Sequence, residues 1–246
     1  MTKPEIVAQD EAVLAQNEFA RSAMAARLNW LRAGVLGAND GIVSTAGLVM
    51  GVAGANSNPT AVLIAGLAAT VAGSISMAGG EYTSVSAQRD SEIAALEVER
   101  NELAEFPERE LRELAWFYEQ RGLSYELATK VAKELTAKDA LKAHAEAELG
   151  IEVGSHASPW AAAISSFVAF AGGSVLPLLA ITGPWQAVRI PVTVGAVVAS
   201  LAITGFVGAK IGGAKATRAV IRNVLVSLLT MGITYGIGFL VGSNVG

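Results

Sequence analysis

The sequence predicts an all-α, polytopic membrane protein with five transmembrane helices and a helical insert between the second and third. Three observations indicate this class: 52% of the 246 residues are apolar, the apolar residues form five long runs, and the charges gather between these runs. A helix of about 20 apolar residues crosses roughly 30 Å of hydrocarbon. The five runs are 33–50, 61–78, 160–181, 190–209 and 224–241.

These runs divide the chain into four segments. Residues 1–30 are polar and rich in alanine, which predicts an N-terminal cytoplasmic surface segment. Residues 31–88 hold the first two spans, 89–157 form a cytoplasmic acidic helical domain, and 158–246 hold the last three spans. No apolar stretch with a small-residue cleavage site begins the chain, so we expect no signal peptide.

Proline, glycine and capping residues predict the helices of the insert. Pro107 stops the helix that continues from the second span, and it suits the first turn of the next helix. Ser124 is placed to cap a third helix. The sequence Thr136-x-x-Asp139 resembles a capping box that opens a fourth helix, and Gly150 closes it.

The distribution of basic residues predicts the orientation in the membrane. Lysine and arginine cluster before span one, after span two and between spans four and five, whereas the opposite loops are poor in charge. The positive-inside rule therefore places the N-terminus and the insert in the cytoplasm and the C-terminus outside. The bases are Arg21, Arg27, Arg32, Arg89, Arg100, Lys210, Lys215, Arg218 and Arg222.

The composition of the insert narrows the classes of partner. Residues 89–152 hold sixteen acids against nine bases, so we expect cations and no nucleic acid. The chain has no cysteine, which excludes disulfides and thiolate metal sites.

Asp40 is the only charged residue in the five apolar runs. A carboxylate in hydrocarbon is costly unless a partner, a proton or water relieves it, so Asp40 is a candidate functional residue. Met77, in the cytoplasmic half of the second span, is expected to share its depth. A carboxylate with a thioether favours transition metals over Mg²⁺ and Ca²⁺, although a lone Met77 packs more often than it ligates. Glu81 follows one turn later, where a structural hydrogen bond or pairing with Arg competes with metal contact.

Six residues of metal-ligand type recur at helical spacing in the insert. Two pairs of glutamates lie three residues apart on successive helices, and a histidine and a glutamate lie four apart on the last, so each pair shares a face. Oxygen ligands with one imidazole suit Mn²⁺, Fe²⁺ or Zn²⁺. The alternative is a solvated face interleaved with arginines. The residues are Glu99, Glu102, Glu110, Glu113, His144 and Glu148.

Two membrane motifs, together with the insert glutamates, resemble the vacuolar iron transporter family. The motifs are GANDGIVST at 37–45 and GSISMAGGEY at 73–82, and the likeness extends from residue 30 to the end. The resemblance implies a homodimer of five-span protomers, with metal passing along the subunit interface and an insert that gathers it. It also implies that Asp40 and Met77 are intramembrane ligands and that the following are insert ligands: Glu99, Glu102, Glu110, Glu113 and Glu148.

The sequence departs from that family at two places. Ala33 stands where relatives carry a further acid before the pathway Asp, which affects the proton relay. His144 and Ala145 stand where relatives can offer methionines, and an imidazole tolerates Zn²⁺, Co²⁺ and Ni²⁺ as well as iron.

We therefore expect a proton-coupled exporter of Fe²⁺, and of Mn²⁺, Co²⁺, Ni²⁺ or Zn²⁺, from the cytosol rather than an enzyme. Its partners are metal ions, protons and membrane lipid, and we expect no prosthetic group. We expect a bacterial plasma membrane, or a vacuolar membrane in a eukaryote. One alternative is a membrane-anchored ferritin-like protein that oxidises or stores iron. Such bundles use Glu-x-x-His pairs, whereas here Leu141 stands three residues before His144. Another alternative is a metal sensor without transport.

Overall fold

The computed structural model describes residues 30–55, 58–154, 157–213 and 215–245, which fold into helices without strands. The predicted N-terminal segment, apart from Trp30, lies outside the described residues. A π-helical turn, Ala145–Leu149, extends α4, and a 3₁₀ turn, Gln186–Val188, precedes α6. The helices are α1 (Trp30–Ala55), α2 (Pro59–Glu105), α3 (Pro107–Gln120), α4 (Tyr125–His144), α5 (Pro159–Thr182), α6 (Arg189–Ile211) and α7 (Ala216–Val245).

Five of these helices, α1, α2, α5, α6 and α7, are long and apolar enough to cross a membrane. Large apolar side chains on them face outwards; Ile64, Val168 and Leu229 are each more than 60% exposed. Such extensive apolar surface is unfavourable in water and suits a hydrocarbon environment. The predicted fold class is confirmed: the chain is an all-α, multi-pass membrane protein.

The chain forms two compact units. The membrane unit contains the described residues up to Thr83 and those from Pro159 onwards, and the insert unit is Ser84–Ser158. The apolar first part of α2 belongs to the membrane unit, and its charged second part, which includes Glu99, belongs to the insert unit.

Glycines set the packing of α1 against α5 and α7. Gly41 lies directly against the backbone of Phe170 in α5. A Cβ at Gly54 would lie 2.6 Å from the carbonyl oxygen of Tyr235 in α7, and one at Gly47 would lie 3.1 Å from Thr230. The contacts advance in the same direction along the chains, so α1, α5 and α7 run parallel. The small residues allow the backbones to approach closely, as in other membrane helix pairs.

Hydroxyl groups join α1 to α5 inside this packing. Thr45 donates a hydrogen bond to Ser174 Oγ at 2.8 Å. The single hydroxyl proton of Ser174 is shared between the carbonyl oxygens of Phe170, at 2.9 Å, and Gly41, at 3.2 Å. The side chains of Thr45 and Ser174 are both fully buried. Hydrogen bonds between membrane helices add modestly to stability, and here they also fix the register of the two helices.

Gly173→Ala is expected to destabilise the membrane unit, because the new Cβ would overlap the backbone of Ala38. Two helix backbones must then separate, and overpacking of this kind costs about 1–3 kcal/mol. Thermal unfolding of the purified protein in detergent, followed by tryptophan fluorescence, measures the loss. Gly172→Ala is the matched control, because no atom lies within 4 Å of its Cβ. Equal melting temperatures for the two variants would contradict the packing described.

The first helix ends of the insert unit lie where the sequence predicts them. α2 ends at Glu105 and Pro107 begins α3. Ser124 caps α4, where its side chain accepts from the backbone N–H of Leu127 at 3.4 Å. These predictions of helix ends are confirmed.

The predicted capping box at Thr136 is wrong. α4 runs through Thr136, whose buried hydroxyl oxygen has no hydrogen-bond partner among the described residues. The helical geometry breaks at Asp139, with φ −165° and ψ 96°. Asp139 Oδ1 accepts from the backbone N–H of Lys142 at 3.0 Å, so Asp139 itself caps the last segment. Gly150, with φ +64°, closes that segment as predicted.

Candidate metal centre

Four side chains of the insert unit converge on one point, and we call them the insert cluster: Glu99 of α2, Glu110 of α3, His144 at the end of α4, and Glu148 of the π turn. His144 Nδ1 lies 2.9 Å from Glu99 Oε1, 3.7 Å from Glu148 Oε2 and 4.0 Å from Glu110 Oε2. One ligand atom each from Glu99, His144 and Glu148 all lie within 4.8 Å of one another. The geometry therefore brings together four of the six residues that the sequence predicts in the insert.

The local fold explains why His144 and Glu148 point inwards. After the break at Asp139, buried alanines line the final segment and allow it to pack closely on α3. Arg121 Nη2 donates to the carbonyl oxygen of Ala147 at 2.8 Å, which fastens the π turn to the end of α3. π-helical turns are rare and occur often at functional sites, where they re-aim side chains.

The insert cluster is buried, yet its polar atoms are not satisfied. Glu99 is 3% exposed, Glu110 1% and His144 0%. The 2.9 Å approach of Nδ1 to Oε1 lacks hydrogen-bond direction, and the facing atoms of all four side chains have no hydrogen-bond partner among the described residues. Buried polar atoms of this kind are rare and costly. A cation shared by the converging lone pairs would satisfy them together.

Arg109 neutralises only the outer side of this cluster. Its Nη2 lies 2.7 Å from Glu110 Oε1 and 3.2 Å from Glu102 Oε1. Glu110 therefore uses one oxygen for Arg109 and turns the other towards His144. The predicted set of ligands does not include Arg109, although its position directly before Glu110 in the sequence was a signal for this contact. Glu102 thus forms an ion pair with Arg109 at the edge of the cluster.

Burial shifts the pKa values of three members. Desolvation, followed by the charges of Glu148, Glu110, Glu102 and Glu113, raises the pKa of Glu99 to about 7. Desolvation also raises the pKa of Glu148, with Glu113 the next contributor. Burial lowers the pKa of His144, against the opposing effect of nearby carboxylates. At neutral pH the imidazole is uncharged with a free lone pair, and a divalent cation competes with a proton on Glu99.

The donor set fits a divalent transition metal. Carboxylate oxygens with one neutral imidazole suit Fe²⁺, Mn²⁺ and Zn²⁺, whereas Ca²⁺ and Mg²⁺ prefer oxygen ligands alone. Glu113 is half-buried, and its charge contributes to the raised pKa of Glu148.

Asp40 lies in the membrane unit on a partly open face of α1. It is half-buried and accepts a hydrogen bond from Ser44 Oγ at 2.7 Å. Leu36 and Ser44, four residues before and after it, are exposed. Met77 and Glu81 on α2 are half-buried, and in the described part of the chain neither side chain forms a hydrogen bond or ion pair. Their roles as metal ligands stay predictions.

The fold and the insert cluster together define a class: multi-pass helical membrane proteins with a buried carboxylate–histidine cluster in a separate helical unit. Residues 31–239 match the model of the VIT family, and the chain belongs to that family, as its membrane motifs predict. It is 49% identical over 214 residues to the vacuolar iron transporter of Acanthamoeba castellanii, covering 86% of this chain and 78% of the relative.

Plant relatives extend the comparison. The chain is 38% identical over 221 residues to vacuolar iron transporter homolog 1 of Oryza sativa subsp. japonica, which covers 89% of this chain and 77% of the relative. It is 35% identical over 219 residues to vacuolar iron transporter homolog 4 of Arabidopsis thaliana, covering 89% and 87%.

Proposed function

We propose that this chain is a transporter that exports Fe²⁺ from the cytosol in exchange for protons. The observation that carries the proposal is the insert cluster, a buried and unsatisfied set of three carboxylates and one neutral imidazole. It belongs to a five-span membrane protein whose relatives are named vacuolar iron transporters. A cation-binding unit in the same chain as membrane spans is what a cation transporter requires.

The first step in this proposal is capture of the metal by the insert cluster. The metal displaces the proton that Glu99 carries near pH 7. His144 favours transition metals over Mg²⁺ and Ca²⁺, so the cluster selects the cargo from the more abundant ions. Because an imidazole also binds Mn²⁺, Co²⁺, Ni²⁺ and Zn²⁺, we expect the insert cluster to accept these ions as well.

The second step is passage through the membrane at Asp40. The carboxylate offers the moving cation a charged ligand within a low-dielectric region, and it can take a proton once the metal leaves. Metal and proton would then exchange at the same group. Met77 adds a soft ligand to this path, and Glu81 stands at its entrance.

A homodimer completes the path in this proposal. Ser44 and Leu48, one and two turns after Asp40, are exposed, so a second copy could place its own Asp40 opposite this part of α1. The positive-inside rule orients the protein with the insert unit in the cytoplasm.

Flux measurements in reconstituted vesicles test the function. We expect purified protein to move Fe²⁺ under anaerobic conditions, and Mn²⁺ as an air-stable substitute, with little movement of Mg²⁺. An imposed proton gradient should drive metal against its own gradient, and a protonophore should abolish that accumulation. Metal flux that does not depend on the proton gradient would indicate a passive channel and would contradict exchange of metal for protons. Vesicles without protein provide the background.

A ferritin-like oxidase is the weaker candidate. Di-iron bundles place Glu-x-x-His pairs on two helices, whereas the described residues supply a single imidazole, His144, with Leu141 three residues before it. Oxygen consumption by the Fe²⁺-loaded protein above the rate of free Fe²⁺ would favour that alternative over transport.

A further inference from the structure

A cleft of ≈ 530 Å³ opens in the membrane unit between α1, α6 and α7. Most of its wall is apolar, formed by residues such as Leu31, Val35 and Ile211. Its polar side chains include two arginines and two asparagines: Arg32, Arg222, Asn39 and Asn223. The arginines make this cleft unlike the lipid-facing grooves of an ordinary helix bundle.

Neither arginine has a counter-charge in the part of the chain that the structure describes, where Arg32 and Arg222 form no ion pair. The sequence from residue 153 to the end contains five bases and no acid, so α5, α6 and α7 cannot supply one. The only acid of α1 is Asp40, whose carboxylate accepts from Ser44. Both arginine side chains are exposed, so an anion that binds them must come from outside these helices.

Asn39 adds a hydrogen-bond acceptor to the same cleft. Its Oδ1 is buried and has no hydrogen-bond partner among the described residues. Asn39 lies seven residues after Arg32, about 10 Å further along α1. Because Gly47 packs at Thr230 and α1 runs parallel to α7, Asn39 lies level with Arg222. The cleft thus presents cationic donors and a free acceptor at the edge of an apolar wall.

A second groove of ≈ 410 Å³ lies on the other side of the same part of α1, between α1, α5 and α6. The two grooves share Leu31, Val35, Thr204 and Ile211. The second groove is almost entirely apolar, with side chains such as Ile164 and Val207. Two adjoining apolar grooves match the two acyl chains of a single lipid.

We propose that the cleft binds one anionic phospholipid, for which phosphatidylglycerol is the simplest probe. The phosphate oxygens accept from the guanidinium groups of Arg222 and Arg32. The acyl chains lie in the two grooves. A free phosphate would satisfy the arginines alone and would leave the apolar walls uncovered.

Native mass spectrometry of the delipidated full-length protein tests this site. We expect one phosphatidylglycerol per chain to bind more tightly than phosphatidylcholine with the same acyl chains. Arg222→Gln and Arg32→Gln should each weaken phosphatidylglycerol binding by about fivefold. Arg218→Gln is the matched control, because Arg218 lies one turn earlier on α7 and does not line the cleft. It should leave the affinity unchanged.

Three results would overturn the proposal. One is equal binding of phosphatidylglycerol and phosphatidylcholine, which is also the result expected if a second copy of the chain fills the cleft. Another is undiminished binding to both arginine variants. A third is glycerol phosphate binding as tightly as the lipid, which would reassign the cleft to a soluble anion. Should Arg222→Gln fail to fold, Arg32→Gln, in the first turn of α1, is the variant whose phosphatidylglycerol affinity is compared with that of the unmodified protein.

Discussion

Replacing Asp40 with Asn is expected to abolish metal flux while leaving the protein folded. The amide keeps the size of the side chain and its acceptor for Ser44, but it removes the only charged ligand within the apolar runs. If the carboxylate stabilises the passing cation by about 3 kcal/mol, its loss slows transport by about a hundredfold. Initial rates of Mn²⁺ entry into reconstituted vesicles measure the effect.

The control for this variant is Asp90→Asn, which makes the same chemical change at an exposed position of α2 in the insert unit. It should transport at the rate of the unmodified protein. Unfolding temperatures of both variants in detergent separate loss of function from loss of structure. Normal Mn²⁺ entry through the Asp40 variant would remove that residue from the pathway.

Combining Glu99→Gln with His144→Ala is expected to remove tight metal binding by the insert cluster. The two changes take away a carboxylate and the imidazole that lie 2.9 Å apart. Loss of metal ligands should weaken Mn²⁺ binding by about a hundredfold or more, judged against the smaller effects of outer-shell changes. Isothermal titration of the full-length protein in detergent gives the affinity. Flux at saturating metal should persist, because Asp40 is intact.

Glu97→Gln is the matched control, since Glu97 lies two residues earlier on α2 and is exposed.

The unmodified protein should also bind Mn²⁺ more weakly as pH falls. Glu99, with a pKa of about 7, must lose its proton to bind, so lowering the pH from 8 to 6 should cost about tenfold in affinity. The single variant Glu99→Gln should show less of this dependence. Equal wild-type affinities at both pH values would contradict a metal site at Glu99.

The membrane spans could be predicted because hydrocarbon imposes a simple rule on length and polarity. Helix ends with a strong chemical cause, such as Pro107, Ser124 and Gly150, could be predicted as well. The break at Asp139 could not, because both Thr136 and Asp139 are capable caps and only tertiary packing chooses between them.

The sequence predicts the residue types of the insert cluster, but it does not predict which of the six candidate residues belong to the cluster. Spacing on a helix face treats Glu99 and Glu102 alike, whereas the structure buries Glu99 beside His144 and pairs Glu102 with Arg109. That division depends on how α2, α3 and α4 meet in three dimensions. Local sequence patterns carry no information about those contacts.

The glycine contacts of α1 also restrict how this helix can move. Its backbone meets α5 at Gly41 and α7 at Gly54, so rotation about its own axis would force main-chain atoms together. We therefore expect α1, α5 and α7 to shift as one rigid body. α2 meets this rigid body through side chains instead: Gly73 lies directly against the ring of Phe170, and a Cβ at Gly66 would lie 2.5 Å from Leu178. Rearrangement during a transport cycle should accordingly appear as rotamer changes of Phe170 and Leu178, where α2 meets a fixed three-helix wall.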